Sequence, residues 1–74
     1  MKYLDVNPTI ASGYPVIKGT RIRITHILRL LAEGTNMKEI QKEWYPWLSL
    51  KKLRGAVNEA IKQMENVAIP ASHV

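Results

Sequence analysis

The segment SLKKLRGAVNEAIKQME, residues 49–65, decides the fold because it is the longest stretch with one unbroken structural period. Apolar residues recur in it at intervals of three and four, the spacing of one face of an α-helix. These residues are Leu50, Leu53, Val57, Ala60, Ile61 and Met64. Ser49 stands before them, where a hydroxyl can accept a hydrogen bond from a free backbone N–H. The segment predicts a helix over residues 50–65 with one apolar face.

A shorter helix is predicted earlier in the chain, over residues 26–33. Thr25 precedes it as an N-cap residue, since a threonine hydroxyl can bind a free N–H of the first turn. Gly34 follows it, in the position where glycine commonly ends a helix. The pattern between them is apolar on one side.

A second short helix is predicted over residues 37–44. Asn36 and Glu39 form a pair of the capping-box type at its start. Pro46 ends it, because proline disfavours helical geometry in the residue before it. Three helices with short connections, the third the longest, predict a tri-helical helix-turn-helix core of the homeodomain-like or winged type.

The first part of the chain, residues 1–24, has β character and predicts an N-terminal β arm or hairpin. Residues 3–6 indicate a short first strand. The run RIRI at residues 21–24 alternates strictly, so its isoleucines face one side and its arginines the other. Gly19 allows the positive φ of a tight turn before this run. The expected fold is therefore mainly α, a small α+β domain over residues 1–65 with a short tail over 66–74.

Composition limits the possible partners and sites. The chain has 74 residues, a net charge of +5 and no cysteine. So small a domain has a marginal core, and without disulfides or thiolate metal sites a second copy of the chain is the expected supplement. No apolar run reaches the length of a membrane span or signal peptide, which predicts a cytoplasmic protein. The excess of basic residues points to an acidic partner, of which DNA is the expected one.

The polar residues of the two later helices are the candidate DNA contacts. The N-terminal half of a recognition helix reaches the bases, and arginine and asparagine read guanine and adenine edges. Lysines on the preceding helix can bind the flanking phosphates. The alternative for all of them is an ordinary solvated helix face. The candidates are Lys51, Lys52, Arg54, Asn58, Lys38 and Lys42.

Arg21 and Arg23 are candidates for a second contact, and the sequence leaves three interpretations of them open. They can bind phosphates or enter a minor groove. They can pair with acidic side chains of a protein partner. They can also protect an exposed strand from edge-to-edge association.

The aromatic residues around Pro46 have two possible roles. Trp44, Tyr45 and Trp47 together with basic residues are typical of surfaces that stack on single-stranded nucleic acid. An aromatic cluster at a turn between helices is more often part of the core, and the core is the prediction here, with at least one of the two tryptophans partly exposed in a way that suits an interface. His26 is expected at the surface, near the start of the first helix.

No residue pattern indicates catalysis. The serines have no fixed relation to a histidine and an acid, and no carboxylate pair suggests acid–base work. The dispersed glycines form no phosphate loop. We therefore expect a protein that is not an enzyme and that uses no metal and no cofactor.

Several segments resemble the DUF433 family of domains of unknown function. The most specific is Gly13–Arg21, with glycine, proline, isoleucine and Gly-Thr-Arg in the family's order, and the likeness extends over about residues 5–60. Further matching segments are Asn7–Ile10, Ile27–Leu28, Leu31–Gly34, Ile40, Tyr45–Ser49 and Leu53–Val57. Gly55 departs from the pattern, in which alanine is usual.

The resemblance implies a helix-turn-helix protein similar to VapB-type antitoxins. Such a protein binds its own promoter, represses its operon and neutralises a neighbouring PIN-like ribonuclease toxin. It is expected to act as a homodimer, paired through the β segments or the apolar flank of the third helix. The rival interpretation is a protein-binding module of the same shape that does not touch DNA and holds its partner through the β arm and the surface of Trp44–Trp47.

Overall fold

A computed structural model describes residues 1–66 of the chain. Three helices and a small antiparallel sheet make up these residues, which confirms the expected small α+β fold. The sheet pairs Leu4 with Ile17 and Asp5 with Val16. The elements in chain order are β1 (Leu4–Asp5), a 3-10 turn (Ala11–Gly13), β2 (Val16–Ile17), α1 (Ile24–Ala32), α2 (Met37–Glu43) and α3 (Leu50–Asn66).

One apolar core joins the sheet to all three helices. Its most deeply buried side chains come from different elements, which is how so short a chain closes a core. The buried core residues are Leu4, Ile17, Ile24, Ile27, Leu30, Ile40, Leu48, Leu53, Ala56, Val57 and Ala60. Of the apolar face predicted for α3, Leu53, Val57 and Ala60 are buried and Leu50 is half-buried. The last part of this face is not buried, since Ile61 is 45% and Met64 51% exposed.

The start of α1 differs from the prediction. The helix begins at Ile24, so Thr25 lies inside it, and Arg23 is the N-cap residue with no side-chain capping bond. The reason is tertiary: Arg23 forms an isolated bridge to Val16, and the N–H of Ile24 donates to the carbonyl of Pro15 at 3.0 Å. The chain therefore passes directly from the arm into the helix.

The arginine–isoleucine run is likewise not a regular strand, because only one of its residues forms a β-bridge. The predicted alternation of faces is nevertheless present. Ile24 is buried and Ile22 half-buried, whereas Arg21 and Arg23 are exposed.

The other helix boundaries follow the local signals. The N–H of Gly34 donates to Leu31 and that of Thr35 to Leu30, which closes the C-terminus of α1. Asn36 caps α2 by accepting the N–H of Glu39 at 2.9 Å. Ser49 caps α3 by accepting the N–H of Lys52 at 3.1 Å. α1 ends at Ala32 and α2 at Glu43, each one residue before its predicted end, and α3 continues to Asn66, one residue beyond its predicted end. The rest of the predicted tail, residues 67–74, lies outside the described residues.

A tight turn connects β2 to the arginine segment. Gly19 has a φ of +82°, as the turn requires, and the N–H of Thr20 donates to the carbonyl of Ile17 at 2.9 Å. The Thr20 hydroxyl donates to the same carbonyl and accepts the N–H of Ile22. Thr20 thus orders the turn and, with it, the position of the arginines.

Glu59 attaches the N-terminal arm to α3. Its carboxylate accepts the N–H of Tyr3 at 2.7 and 2.9 Å and the N–H of Leu4 at 3.0 Å. Charged acceptors form the stronger class of hydrogen bonds, so this contact fixes the arm across a long sequence separation.

Packing explains why position 55 holds a glycine. The ring of Tyr3 lies directly against its Cα, and a Cβ at this position would come within 2.7 Å of the Tyr3 Cγ and closer to two other ring carbons. Glycine in the middle of a helix costs about 0.8–1.0 kcal/mol relative to alanine. Here it provides the close approach of the arm to α3.

Candidate functional site

The first half of α3 presents polar side chains to solvent. Lys51, Lys52, Arg54 and Asn58 are all exposed, whereas Leu53 and Val57 of the same turns are buried. Because helix positions three, four and seven apart share a face, Lys51, Arg54 and Asn58 form one stripe. Lys52 is turned by about 100° from Lys51 and by more than that from Arg54 and Asn58. The structure thus brings three of the four predicted α3 residues together and sets the fourth on another side of the helix.

Lys38 and Lys42 lie close to the start of α3. Both are exposed, and both line an open groove of about 460 Å³ between α2 and α3. Leu50, the first residue of α3, lines the same groove. The two lysines therefore share this groove with the first residue of α3.

The turn between α2 and α3 is held by internal bonds. The side-chain N–H of Gln41 donates to the carbonyl of Leu48 at 2.9 Å, and the N–H of Leu48 donates to Tyr45 at 2.9 Å. Leu48 itself is buried in the core. These contacts fix how α3 leaves the turn and hence where its exposed stripe stands relative to α2.

The arginines of the arm are both exposed, and they are held differently. The Arg23 guanidinium lies over the ring of Tyr14 at 4.3 Å from its centroid, a cation–π contact that restricts the side chain. Arg21 follows the ordered Gly19-Thr20 turn. Both arginines line a second open groove, of about 560 Å³.

Aromatic side chains form the opposite wall of that groove. His26 Nδ1 and the Tyr45 hydroxyl are hydrogen-bonded at 2.6 Å. Trp47 packs edge-on to Tyr45, with ring centroids 6.0 Å apart, and Trp44 packs edge-on to His26 at 4.8 Å. Burial raises the pKa of the Tyr45 hydroxyl above its ordinary value of 10.0, so it is neutral at physiological pH.

The predicted core role of these aromatics is correct only for Tyr45. Tyr45 is half-buried against the core, but Trp44 is 51% and Trp47 66% exposed. The turn directs both indoles outward because Leu48, not a tryptophan, fills the space beneath it. His26, expected at the surface, is half-buried through its bond to Tyr45.

Two features of the surface were not predicted. Lys62 is exposed and lies one turn beyond Asn58, so it extends the α3 stripe; the helical period indicates this position. The arm arginines and the aromatics of the turn were candidates separately, but their meeting in one groove has no sequence signal, because His26 and Tyr45 are 19 residues apart.

Within residues 1–66, no cluster of three or more histidine, cysteine or acidic side chains can hold a metal ion. In the same part of the chain, no helix combines the length and apolar character needed to cross a membrane.

Comparison with known proteins gives one result. No curated protein matches the sequence, and no solved structure matches it. A family model described as "protein of unknown function (DUF433)" matches residues 4–60, which include both grooves and the N-terminal half of α3. The chain belongs to the DUF433 family.

Proposed function

We propose that this protein is a DNA-binding regulator of the antitoxin type and that α2, its following turn and α3 act as a helix-turn-helix unit. The observation that carries the proposal is the exposed stripe on the first half of α3, opposite buried Leu53 and Val57. Lys51, Arg54 and Asn58 would contact base edges there, and Lys52 the adjacent backbone. The net charge of +5 adds attraction for phosphate.

Lys38 and Lys42 have a supporting role in this proposal. They flank the start of α3 across the α2–α3 groove. From that position they would bind phosphates and set the register of α3 in the major groove without reading sequence.

The antitoxin part of the proposal rests on the family resemblance. In it, the protein neutralises a PIN-like ribonuclease encoded beside it and represses the shared operon. The protein acts by binding rather than by catalysis and uses no cofactor. Two assays test this part: copurification with the product of the neighbouring gene, and loss of that product's ribonuclease activity on mixing. A neighbouring protein that stays active and unbound would contradict it.

The DNA part is tested by binding to the upstream DNA of the gene and to scrambled DNA at two salt concentrations. Lys52→Ala/Arg54→Ala should weaken upstream binding at least about tenfold and flatten its salt dependence by about one to two units of log–log slope. Lys2→Ala/Arg29→Ala is the control of equal charge, since it removes two positive charges from residues outside α2 and α3. Equal losses in both variants, or no binding at low salt, would refute specific recognition through α3.

The proposed assembly is a homodimer, paired over an apolar groove of about 410 Å³ between β1, α1 and the end of α3. Met1, Val6 and Met64 are each about half exposed there, and no lining residue has a charged side chain. Two basic chains can therefore bury this surface without bringing side-chain charges together, and a two-fold dimer suits two DNA half-sites.

Sedimentation velocity tests this dimer. Met64→Lys should convert it to monomer, whereas Glu65→Gln, which changes the net charge equally, should not. A wild-type protein that sediments as a monomer contradicts the assembly.

A second candidate function is a protein-binding module that does not contact DNA. The exposure of Trp44 and Trp47 favours it, since tryptophan and arginine are enriched in the contact centres of protein interfaces. The salt experiment separates the two functions, because DNA affinity that falls steeply with salt indicates phosphate contacts, which release counterions.

A further inference from the structure

The groove between the arm and the α2–α3 turn combines positive charge with an open aromatic ring. Its arm side has Arg21 and Arg23, and its other wall has His26, Tyr45 and Trp47. None of its lining residues is acidic. An anionic ligand would therefore meet two guanidinium groups without a competing carboxylate in the groove.

Contacts within the chain hold the arginine side of the groove. The Thr20 bonds fix the turn that precedes Arg21, and the ring of Tyr14 restrains Arg23. Guanidinium groups bind phosphate through paired N–H donors, and restrained ones lose less conformational freedom on doing so.

The aromatic side holds an unusually open indole. Trp47 is 66% exposed, which is above the other exposed large hydrophobic residues of the described chain. It is nevertheless positioned, because it packs edge-on against Tyr45, and Tyr45 is bonded to His26 at 2.6 Å. An open but positioned indole is the element on which proteins stack unpaired bases.

We propose that this groove binds a single-stranded segment of nucleic acid, with phosphates at Arg21 and Arg23 and a base stacked on Trp47. A duplex cannot offer a base for stacking on Trp47, since its bases are already stacked and paired with one another. An acidic peptide would use the arginines without requiring a flat ring at Trp47. The site is separate from the α3 stripe and does not depend on the function proposed for that stripe.

The probes are a fluorescently labelled oligothymidylate and an oligouridylate of about ten nucleotides, a duplex of equal length and a glutamate-rich peptide. Anisotropy titrations at low salt should show both single strands binding more tightly than the peptide. Trp47→Ala should weaken single-strand binding about 5- to 150-fold, the range for losing one stacked base. Trp47→Tyr should restore most of it. Failure of both single strands to bind, or tighter binding of the peptide, would overturn the proposal.

Matched variants locate the effect. Trp44→Phe removes an indole that does not line the groove and keeps a ring against His26. Arg29→Gln is the control for Arg21→Gln, which should weaken single-strand binding and lower its log–log salt slope by about one unit. Both controls should leave single-strand affinity within about twofold, and circular dichroism verifies that each variant is folded. A loss from Trp44→Phe as large as that from Trp47→Ala would refute a site at this groove.

A spectroscopic signal and a crossed comparison complete the test. With Trp44→Phe, Trp47 is the sole tryptophan, and its fluorescence should be quenched on single-strand binding; unchanged emission contradicts stacking.

Lys52→Ala/Arg54→Ala should leave single-strand affinity unchanged, whereas Trp47→Ala should leave duplex affinity unchanged. Failure of one site is thereby distinguished from failure of the other.

Discussion

Replacing Gly55 by alanine tests the packing of the arm on α3. In a helix interior without close neighbours, alanine is more stable than glycine by about 0.8–1.0 kcal/mol. Here the added methyl group would lie within 2.7 Å of ring carbons of Tyr3. The main chain of Tyr3 is held, because Glu59 accepts its N–H and its carbonyl accepts the N–H of Lys18. The ring must therefore leave its place on α3 to admit the methyl group. Overpacking of this kind costs about 1–3 kcal/mol.

The penalty exceeds the gain in helix propensity, so Gly55→Ala should lower the free energy of unfolding by about 1 kcal/mol. In a domain of this size that corresponds to a fall in Tm of about 4–8 °C. Urea denaturation followed by far-UV circular dichroism measures the change, with Tyr3→Ala as the second background.

Without the Tyr3 ring, the methyl group has no ring to meet, and Gly55→Ala should instead stabilise by about 1 kcal/mol. The change of sign between the two backgrounds is a coupling energy of about 2 kcal/mol. If Gly55→Ala stabilises both backgrounds equally, the ring does not rest on Gly55 and the described docking of the arm is wrong.

Two further predictions concern single hydrogen-bonded groups. Glu59→Gln keeps the shape of the side chain but replaces a charged acceptor by a neutral one. It should lower the free energy of unfolding by about 1–2 kcal/mol and speed hydrogen exchange of the Tyr3 and Leu4 amides. Unchanged exchange by NMR would contradict this prediction. Tyr45→Phe removes the bond to His26 and should cost about 1 kcal/mol at neutral pH. Because burial raises the pKa of Tyr45, the unfolded chain loses this proton first as pH rises above 10.0. The stability of the wild type should therefore fall above that pH relative to Tyr45→Phe. Urea unfolding should show a smaller difference in stability between the two proteins at about pH 11 than at about pH 7. A difference that stays constant with pH would argue against a buried Tyr45 hydroxyl.

The parts of the fold that the sequence predicts are those with local causes. Asn36 and Ser49 bind N–H groups three residues away, so a short window of sequence contains both partners of each cap. The exposure of the α3 stripe follows in the same way, because the apolar period that buries Leu53 and Val57 assigns the opposite face to solvent.

The parts that the sequence does not predict have partners far along the chain. The arginine–isoleucine run has strand-like alternation, but the carbonyl of Pro15 takes the N–H of Ile24 and starts the helix there. Position 55 holds a glycine, where an ordinary helix interior favours alanine, because the ring of Tyr3 lies against it. The groove between the arm and the α2–α3 turn depends on a contact between His26 and Tyr45. No spacing rule relates a histidine to a tyrosine 19 residues later.

The bond between Glu59 and the arm also has a consequence for the order of folding. Synthesis delivers Tyr3 and Leu4 first, whereas their anchor lies 55 and 56 residues later. β1 can pair with β2 early, but a two-stranded ribbon of this length has little stability of its own. The arm therefore becomes fixed only after α3 has left the ribosome, and we expect it to join the fold last, after the helices have assembled.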